Sequence, residues 1–405
     1  MKRIVKLQNS IQKYTWGSRT FIPELLGEKS PAESPYAEMW MGSHPKAPSL
    51  LYNGNESRSL LELIDQNPVE ILGPSVASRF HNKLPFLFKL LAASRPLSIQ
   101  AHPDREQARK GFEEENRKKI PLDASNRNYR DENHKPELIC ALEPMWILKG
   151  FRRIEDIIRL MEKAGQSAET PGITHLVDHP DSEGLKAFFQ SLMTVEKDVS
   201  GPLLKNVISR IDKRGISDPP FQWVRRLEQE YPRDMGSLSP LFLNLIRLQP
   251  AEALFIPAGE LHAYLEGAGL ELMANSDNVL RGGLTSKHID MEELLGILDF
   301  SPRDPEVLFP EDMDSMESLY PVIAEEFMLS VIRLTHKESI YVSPETKSAA
   351  IMICLEGSSS VEDRGSGDIL PFHRGNVLFV PASVGRYRIR GTGTIYRASV
   401  PTSRD

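Results

Sequence analysis

Three short segments contain side chains whose types and spacing could bind a metal ion. Gln100 and His102 are two residues apart, so on a β-strand both side chains would lie on the same face. Residues 133–137 are Asn-His-Lys-Pro-Glu, directly before a strand-like apolar run, and His262 ends the segment Pro-Ala-Gly-Glu-Leu-His. Two imidazoles with oxygen donors suit Zn²⁺, and Fe²⁺, Mn²⁺ or Co²⁺ are possible by geometry. We therefore predict a site with four ligands: Gln100, His102, Glu137 and His262.

Cysteine chemistry is limited, because the chain contains only Cys140 and Cys354. Two cysteines exclude both a disulfide framework and a zinc site made of four thiolates. Any metal must therefore be held mainly by histidine, carboxylate or amide groups. Each of the four predicted ligands alone is more often structural than ligating, so the prediction depends on their combination.

The third segment, Pro257-x-Gly259-x-x-His262, resembles the second motif of cupins, small double-sheet β-barrels that hold a metal inside. In this motif proline closes a strand, glycine permits a sharp corner, and histidine points into the barrel. Residues 251–262 also align without gaps on residues 375–386, where Arg386 replaces the histidine. We therefore expect two related barrels, the second without the metal ligand.

Hydrophobic periodicity separates a helical block from two β-rich regions. Residues 154–161, 185–192 and 204–211 each carry apolar side chains at the i, i+3, i+4, i+7 spacing of a buried helix face. Up to about residue 100, and again after residue 250, short apolar runs are broken by Pro, Gly, Ser and Asn, which is typical of strands and loops. Short helices are predicted within these regions at residues 59–65 and 291–298.

Length and composition limit the number of domains and the classes of partner. The 405 residues suggest two or three domains, with 40% apolar and 26% charged residues. The net charge of -7, without a block of Lys and Arg, argues against a nucleic-acid partner. The sequence contains neither a signal peptide nor an apolar run long enough to cross a membrane, so we expect a cytoplasmic protein.

Several longer segments resemble type I mannose-6-phosphate isomerases, in the same order along nearly the whole chain. The segments are Tyr14-Thr-Trp-Gly17, Ala37-Glu-Met-Trp-Met-Gly-Ser-His-Pro45, Leu84-Pro-Phe-Leu-Phe-Lys-Leu-Leu91, Leu97-Ser-Ile-Gln-Ala-His-Pro-Asp104, Asn133-His-Lys-Pro-Glu137, Ile256-Pro-Ala-Gly-Glu-Leu-His-Ala-Tyr264 and a long stretch from Glu271 to Lys287. The sequence departs from the family pattern at Leu261 and at Gly282-Gly283, neither of which is a predicted ligand.

The resemblance implies a fold that is mainly β with an α-helical insertion: two cupin-type (jelly-roll) barrels plus a helical domain. It implies a catalytic cupin domain at residues 1–149 and 246–320, a helical insertion at 150–245, and a C-terminal cupin-like domain at 321–405 without metal ligands. It also implies an enzyme with one Zn²⁺ per chain that interconverts D-mannose 6-phosphate and D-fructose 6-phosphate through a cis-enediol. Gln100, His102, Glu137 and His262 coincide with the zinc ligands of the family.

The same resemblance gives candidate roles to further residues. The functional arginine of the family maps onto Arg281, which could stabilise the enediolate or bind phosphate. The proton could be carried by any of four residues, and the sequence does not choose among Glu271, Lys135, His134 and Asp277. His134 is alternatively a substrate-pocket or packing residue. Ser98, Lys89 and Lys287 are candidates for phosphate binding, and Trp16 and Tyr264 for the pocket wall.

Two other classes of function use similar residues. A metal-dependent oxygenase built from two cupin barrels would also hold its metal with two histidines and one carboxylate, but it would need Fe²⁺ and O₂. A sugar-binding protein without activity would not need Glu271, Asp277, Arg281 and Lys287 together. The retention of these residues favours an isomerase, with a sugar phosphate as its partner and a monomer or weak homo-oligomer as its state.

Overall fold

Two large antiparallel β-sheets and a helical block form the regular structure of the computed structural model, which describes residues 2–53, 56–165, 170–345 and 347–402. The strands are β1 (Val5–Gln8), β2 (Ser10–Gln12), β3 (Glu38–Met41), β4 (Leu50–Asn53), β5 (Glu56–Ser59), β6 (Phe86–Ala93), β7 (Ile99–Ala101), β8 (Glu137–Ala141), β9 (Met145–Phe151), β10 (Leu243–Leu248), β11 (Ala253–Ile256), β12 (His262–Ala274), β13 (Leu280–Gly283), β14 (Glu311–Asp312), β15 (Glu317–Leu319), β16 (Met328–Leu334), β17 (Ile340–Val342), β18 (Ala350–Asp363), β19 (Ile369–His373), β20 (Val377–Val380) and β21 (Tyr387–Ser399).

The α-helices are α1 (Phe21–Leu26), α2 (Leu60–Gln66), α3 (Pro68–Leu72), α4 (Pro74–Arg79), α5 (Arg105–Arg117), α6 (Ile154–Lys163), α7 (Ile173–Asp178), α8 (Ser182–Met193), α9 (Lys197–Lys213), α10 (Pro219–Glu230), α11 (Ser239–Phe242) and α12 (Met291–Ile297). None of the helices in the described part of the chain has the length and apolar content needed to cross a membrane.

We call the sheet that contains the predicted ligands the first sheet. Its main path is β10-β9-β12-β6-β3-β2, and β7, β8, β11 and β13 pair beside it. The second sheet follows the order β14-β15-β16-β21-β18-β20-β1-β4-β5, with β17 beside β21 and β19 beside β18. The long strands β12 and β18 each pair with several partners and hold their sheets together.

One hydrophobic cluster joins the two sheets, and another packs the helical block against strands of the first sheet. Side chains of the first sheet such as Phe88 and Leu270 are buried in one cluster with Leu329 and Ile351 of the second sheet. The opposite face of the first sheet forms a smaller apolar cluster around Leu91, which also includes Tyr264. It is on this second face that the polar residues of the candidate site lie.

The predicted helices lie close to the observed ones. The three apolar stripes fall on α6, α8 and α9, and the two shorter predictions fall on α2 and α12. In α2 the side chain of Ser59 accepts a hydrogen bond from Glu62 N in a capping box, which explains where that helix begins. The strand-and-loop texture of the first 100 residues missed α1, α3 and α4, because helices of five or six residues are too short to show a period.

The repeated segment is confirmed as two copies of one strand–turn–strand unit. The first copy contains β11 and β12, and the second contains β20 and β21, at equivalent positions of the aligned sequences. Before each unit the backbone turns through a left-handed conformation, with φ of 72° at Ala251 and 79° at Gly375. Glycine takes up this conformation without steric cost, whereas alanine does not.

The first strands of the chain contribute to both sheets. Within residues 1–149, which were predicted to belong to the catalytic domain, β1 pairs with β20 and with β4, all in the second sheet. The next strand, β2, pairs with β3 in the first sheet. β1 covers the edge of β20, which would otherwise present unpaired backbone N–H and C=O groups.

Candidate active site

Three of the four predicted ligands meet where strands of the first sheet begin or end. His102 directly follows β7, while Glu137 and His262 are the first residues of β8 and β12. His102 Nε2 lies 3.2 Å from Glu137 Oε1, and His262 Nε2 lies 3.3 Å from Glu137 Oε2. All three side chains are buried, and their ligand atoms are close enough together to hold one metal ion.

Backbone carbonyls orient both imidazole rings. His102 Nδ1 is 2.8 Å from Asn278 O, and His262 Nδ1 is 3.0 Å from Glu260 O. A carbonyl oxygen only accepts, so each Nδ1 carries the proton and each Nε2 presents a lone pair. Neither Nε2 has a hydrogen-bond partner among the described residues, which is rare for a buried polar atom.

The charge state of the cluster also suits metal binding. Burial, reinforced by the nearby Lys135 ammonium, lowers the pKa of His102 to about 4, so its imidazole is neutral at pH 7. Burial alone would raise the pKa of Glu137, but Lys135 and His102 hold it well below its usual range. Lys135 Nζ lies 3.0 Å from Glu137 Oε1. A carboxylate anion therefore faces the neutral imidazole of His102 on one side and the imidazole of His262 on the other.

Gln100, the fourth predicted ligand, is placed by strand register. It lies directly opposite His262 of β12 on one side and Arg281 of β13 on the other. Residues directly opposite each other in antiparallel strands share a face. The sheet therefore brings Gln100 and Arg281 to the face that carries His262, and Lys149, also opposite His262, lies in the same row.

A second buried charge cluster lies on the same face. Lys89 Nζ is 2.8 Å from Glu271 Oε2 and 3.9 Å from Glu38 Oε1. Burial would lower the pKa of Lys89, but the two carboxylates raise it above its ordinary value, so the ammonium stays charged. The Lys89 ammonium lies over the indole ring of Trp40, 5.5 Å from the ring centroid. Trp40 Nε1 donates a hydrogen bond to Glu38. Tyr264 OH lies 3.5 Å from Glu137 Oε2 and so lies beside the metal cluster.

Asp277 belongs to a more exposed ion pair. Its carboxylate lies 2.8 Å from Lys46 Nζ and 3.5 Å from His44 Nε2. Burial opposes ionisation, but hydrogen bonds from His44 and Lys46 hold the pKa of Asp277 well below its usual range. Asp277 is therefore an anion that is already neutralised by its neighbours.

Three cations gather near the site without a carboxylate partner within 4 Å among the described residues. Arg281 is half-buried, and both burial and the charge of Arg130 lower its pKa. Burial and then the charges of Arg281 and Arg130 lower the pKa of the exposed Lys287. The charge of Arg130 thus acts on both Arg281 and Lys287, and that of Arg281 acts on Lys287, which indicates that the three cations lie near one another. Such a group of unpaired cations is suited to an anion.

Comparison with known proteins places the chain in a family. Residues 4–154 match the catalytic domain of type I phosphomannose isomerases, and residues 317–400 match the cupin domain of mannose-6-phosphate isomerases. The mannose-6-phosphate isomerase of Escherichia coli is 39% identical over 97% of this chain and 98% of its own length. The chain belongs to the mannose-6-phosphate isomerase family.

Other members of the family agree over the same extent. The human mannose-6-phosphate isomerase is 33% identical, covering 94% of both chains. A zinc-bound crystal structure of a mannose 6-phosphate isomerase superposes with a TM-score of 0.90 at 37% identity, covering 98% of this chain and all of that one. A structure of a lysine-to-alanine mutant of the Salmonella typhimurium enzyme gives the same TM-score and coverage. The resemblance found in the sequence is confirmed.

Within this member of the family, two predicted site residues have other partners. His134 Nε2 lies 2.7 Å from Glu326 Oε1, and Arg105 contacts the same oxygen, so His134 links the site loop to the segment before β16. Lys89, a candidate for phosphate binding, pairs with Glu271 on the same face of the first sheet. Ser98 is half-buried directly before β7, and Trp16 is half-buried against the apolar cluster of Tyr264.

Sequence reasoning missed several residues that complete the site: Glu38, His44, Lys46, Arg130, Lys149, Glu260 and Asn278. Glu38 and Trp40 alternate with the apolar residues of β3, which is a signal of one polar face on a buried strand. The buried pair of Lys149 and Glu260, 2.8 Å apart, could be inferred only from the position of Lys149 opposite His262. Arg130 and Asn278 lie in loops and have no periodic signal.

Proposed function

We propose that the chain is a zinc-dependent aldose–ketose isomerase that interconverts D-mannose 6-phosphate and D-fructose 6-phosphate. One observation carries the proposal: two imidazole lone pairs and one carboxylate converge in a buried cluster with no other partner for the Nε2 atoms. The relatives named above as mannose-6-phosphate isomerases, one of them solved with zinc, support both the reaction and the metal.

The side chains present fit a zinc ion. Zn²⁺ is commonly bound by neutral imidazole nitrogen and by carboxylate oxygen, and these are the donors of His102, His262 and Glu137. Gln100, opposite His262 in the sheet, would add an amide oxygen. When bound, the metal would act as a Lewis acid toward the substrate oxygens, which are the atoms that become negative during isomerisation.

The electrostatic balance of the buried face favours a dication. The two buried clusters around Glu137 and Lys89 contain three carboxylates and two ammonium groups, which give a net charge of -1 when all are ionised: Glu38, Glu137 and Glu271 against Lys89 and Lys135. A divalent metal changes this balance to +1. A site with that charge stabilises an anionic sugar phosphate and the oxyanion that forms beside it.

Proton transfer is assigned to Glu271. The reaction moves one proton between the adjacent carbons C1 and C2 through a cis-enediol, so a single base on one side of the sugar is sufficient. Asp277 is neutralised by Lys46 and His44, and His134 is engaged by Glu326. Lys135 is engaged by the metal ligand Glu137, whose Oε1 lies 3.0 Å from Lys135 Nζ. Glu271 is buried on the same face of the first sheet, where Lys89 holds it.

The phosphate group is assigned to the three unpaired cations. Arg281 lies in register with Gln100, so a substrate bound at the metal would extend toward it. Lys287 and Arg130 lie in the same electrostatic environment. A phosphate dianion among these cations would accept charge-assisted hydrogen bonds. Ser98, directly before β7, would add a hydroxyl donor, and Trp16 and Tyr264 would form the wall of the pocket.

We also propose the finer architecture and the biological setting of the enzyme. The two sheets would be two cupin barrels, and residues 150–245 a helical domain inserted into the catalytic barrel. The enzyme would be cytoplasmic, and monomeric or only weakly associated. The two family matches, to a catalytic domain and to a cupin domain, support this division.

The deciding experiment is a coupled assay that detects fructose 6-phosphate formed from mannose 6-phosphate. The zinc-loaded protein is expected to turn over at the same rate with and without O₂, to lose activity with a chelator, and to regain it with Zn²⁺. An oxygenase would fail the anaerobic arm. The proposal is wrong if folded, zinc-loaded protein shows no chelator-sensitive turnover.

A further inference from the structure

Asn278 is a buried residue whose side chain fixes the loop of residues 130–133. Its Oδ1 accepts from the backbone N–H of Arg130 at 2.7 Å and of Asp131 at 3.2 Å. Its Nδ2 donates to the carbonyl oxygens of Asp131 and Asn133, both at 2.9 Å. An amide has two donor hydrogens and two acceptor lone pairs, so this side chain uses its whole capacity on one loop.

The backbone of the same residue contacts the metal cluster. The carbonyl oxygen of Asn278 lies 2.8 Å from His102 Nδ1, and it is the acceptor that leaves His102 Nε2 directed toward Glu137. Because the side chain of Asn278 is held at four points, the direction of its own carbonyl is restricted as well. The orientation of the His102 ring is therefore coupled to the position of the loop.

The loop in turn carries a cation of the anion site. Arg130 follows the buried Tyr129, and its charge acts on Arg281 and Lys287. Of the hydrogen bonds made by the Asn278 side chain, the one from the backbone N–H of Arg130 is the shortest, at 2.7 Å. One residue thus contacts both the metal ligand His102 and the chain segment that presents Arg130.

We propose that Asn278 is a positioning residue for both halves of the site. It would set the tautomer and ring plane of His102 through its carbonyl, and the location of Arg130 through its side chain. The inference rests on the proposed zinc isomerase, because a loss of positioning is expected to change zinc affinity and substrate binding. Asn278 itself would touch neither the metal nor the sugar.

Other side chains could not replace asparagine at this place. Aspartate has the same shape but no donor, so an oxygen would face the carbonyls of Asp131 and Asn133. Alanine would leave four backbone groups of the loop without their partner. Ser276 gives weaker support to the same arrangement, since its hydroxyl accepts from Asn278 N and donates to Asn133 O, both at 3.2 Å.

The first test measures zinc affinity by competition with a chelator. Asn278→Asp and Asn278→Ala are each expected to bind zinc about 10- to 100-fold more weakly than wild type, the usual effect of removing a group that orients a metal ligand. The matched control is Asn244→Asp, because Asn244 is also buried and its Nδ2 donates to the carbonyls of Lys149, Gly150, Phe151 and Arg303. The control should lose stability but keep wild-type zinc affinity.

The second test needs no metal. In zinc-free wild-type protein labelled with ¹⁵N-histidine, NMR should show His102 in the Nδ1-protonated tautomer. Asn278→Ala should show a mixture of tautomers or a changed Nε2 shift, with His262 unaffected, because a different carbonyl, that of Glu260, orients His262.

A third test measures kinetics at saturating zinc. Asn278→Ala should keep its kcat within about threefold but raise KM about tenfold, since Arg130 is displaced.

The two proposals fail in different ways. Wild-type protein that binds no zinc would contradict the proposed function, whereas Asn278 variants that bind zinc as wild type does, with His102 unchanged, would overturn the positioning role. If Asn278→Ala does not fold, Ser276→Ala is the milder variant. It is expected to weaken zinc binding about two- to fivefold through the loss of one supporting hydrogen bond. Unchanged zinc affinity in Ser276→Ala would then count against the inference.

Discussion

Both sheets bury a glutamate at the first residue of a strand, but the two carboxylates have different partners. Glu317 of β15 contacts Arg397 at 2.5 Å, accepts from Ser330 Oγ at 2.5 Å, and accepts from Tyr341 OH at 2.6 Å. Glu137 of β8 lies 3.2 and 3.3 Å from the Nε2 atoms of two imidazole rings and 3.0 Å from the Lys135 ammonium. The second sheet surrounds its carboxylate with hydrogen-bond donors only, while the first places it between two potential metal-ligating nitrogens.

This difference shows how one fold supports a metal site in one place and a closed core in another. A carboxylate whose oxygens already accept from a guanidinium and two hydroxyl groups is satisfied without a metal. A carboxylate flanked by two imidazole rings places three potential ligands together, and a metal cation stabilises that arrangement. The substitution of Arg386 for His262 between the two copies of the repeat fits the same division.

The different roles of Glu137 and Glu317 are tested most directly by replacing each glutamate in turn. Glu137→Ala is expected to abolish stoichiometric zinc binding and to lower kcat/KM at least about 10³-fold, because the carboxylate of the site is lost together with the metal. The measurements are metal content by emission spectroscopy and turnover in the coupled assay. Retention of one zinc per chain would show that the proposed coordination is wrong.

Glu317→Ala is the matched control in the second sheet. It leaves Arg397 buried without its counter-ion, so the free energy of unfolding should fall by about 3–5 kcal/mol in urea titrations. Zinc content should not change. A loss of zinc in folded Glu317→Ala would mean that the buried cluster of the second sheet affects the metal site of the first. The two glutamates would then not have separate roles.

The sequence was sufficient for the features that local spacing encodes. His102, Glu137 and His262 lie at strand ends marked by Pro and Gly, and the sheet brings them together as their motifs predict. The helices α6, α8 and α9 follow from their apolar stripes. Both kinds of signal span only a few residues, so they can be interpreted without knowledge of the fold.

The remaining features depend on contacts between distant parts of the chain. The pairing of β1 with β20 joins residues more than 360 positions apart, and neither segment contains a sequence signal that identifies the strand it pairs with. His134 was placed in the pocket, yet its partner Glu326 lies 192 residues away. Lys89 was a candidate for phosphate binding, and the strand register that places it opposite Glu271 is not encoded in a single strand.

A smaller effect is expected from the cations. Arg130→Ala should raise the KM for mannose 6-phosphate about 10- to 100-fold with little change in zinc content, since one charge-assisted contact to phosphate is lost. The matched control is Arg386→Ala, the exposed arginine of the second copy of the repeat. It should change neither KM nor zinc. Equal KM values in the two variants would remove Arg130 from the anion site.

The smallest effect concerns the turn that both copies of the repeat share. Ala251→Gly should raise the free energy of unfolding by about 0.5–1 kcal/mol, because alanine is strained at a φ of 72° and glycine is not. Gly375→Ala should lower it, since the new Cβ would lie 2.6 Å from the carbonyl oxygen of Leu25 in addition to the backbone strain. Urea titrations of both variants measure the two changes. Destabilisation by Ala251→Gly would show that the methyl group of Ala251 contributes more through packing than its backbone conformation costs, so that the two turns, though alike in φ, are not equivalent.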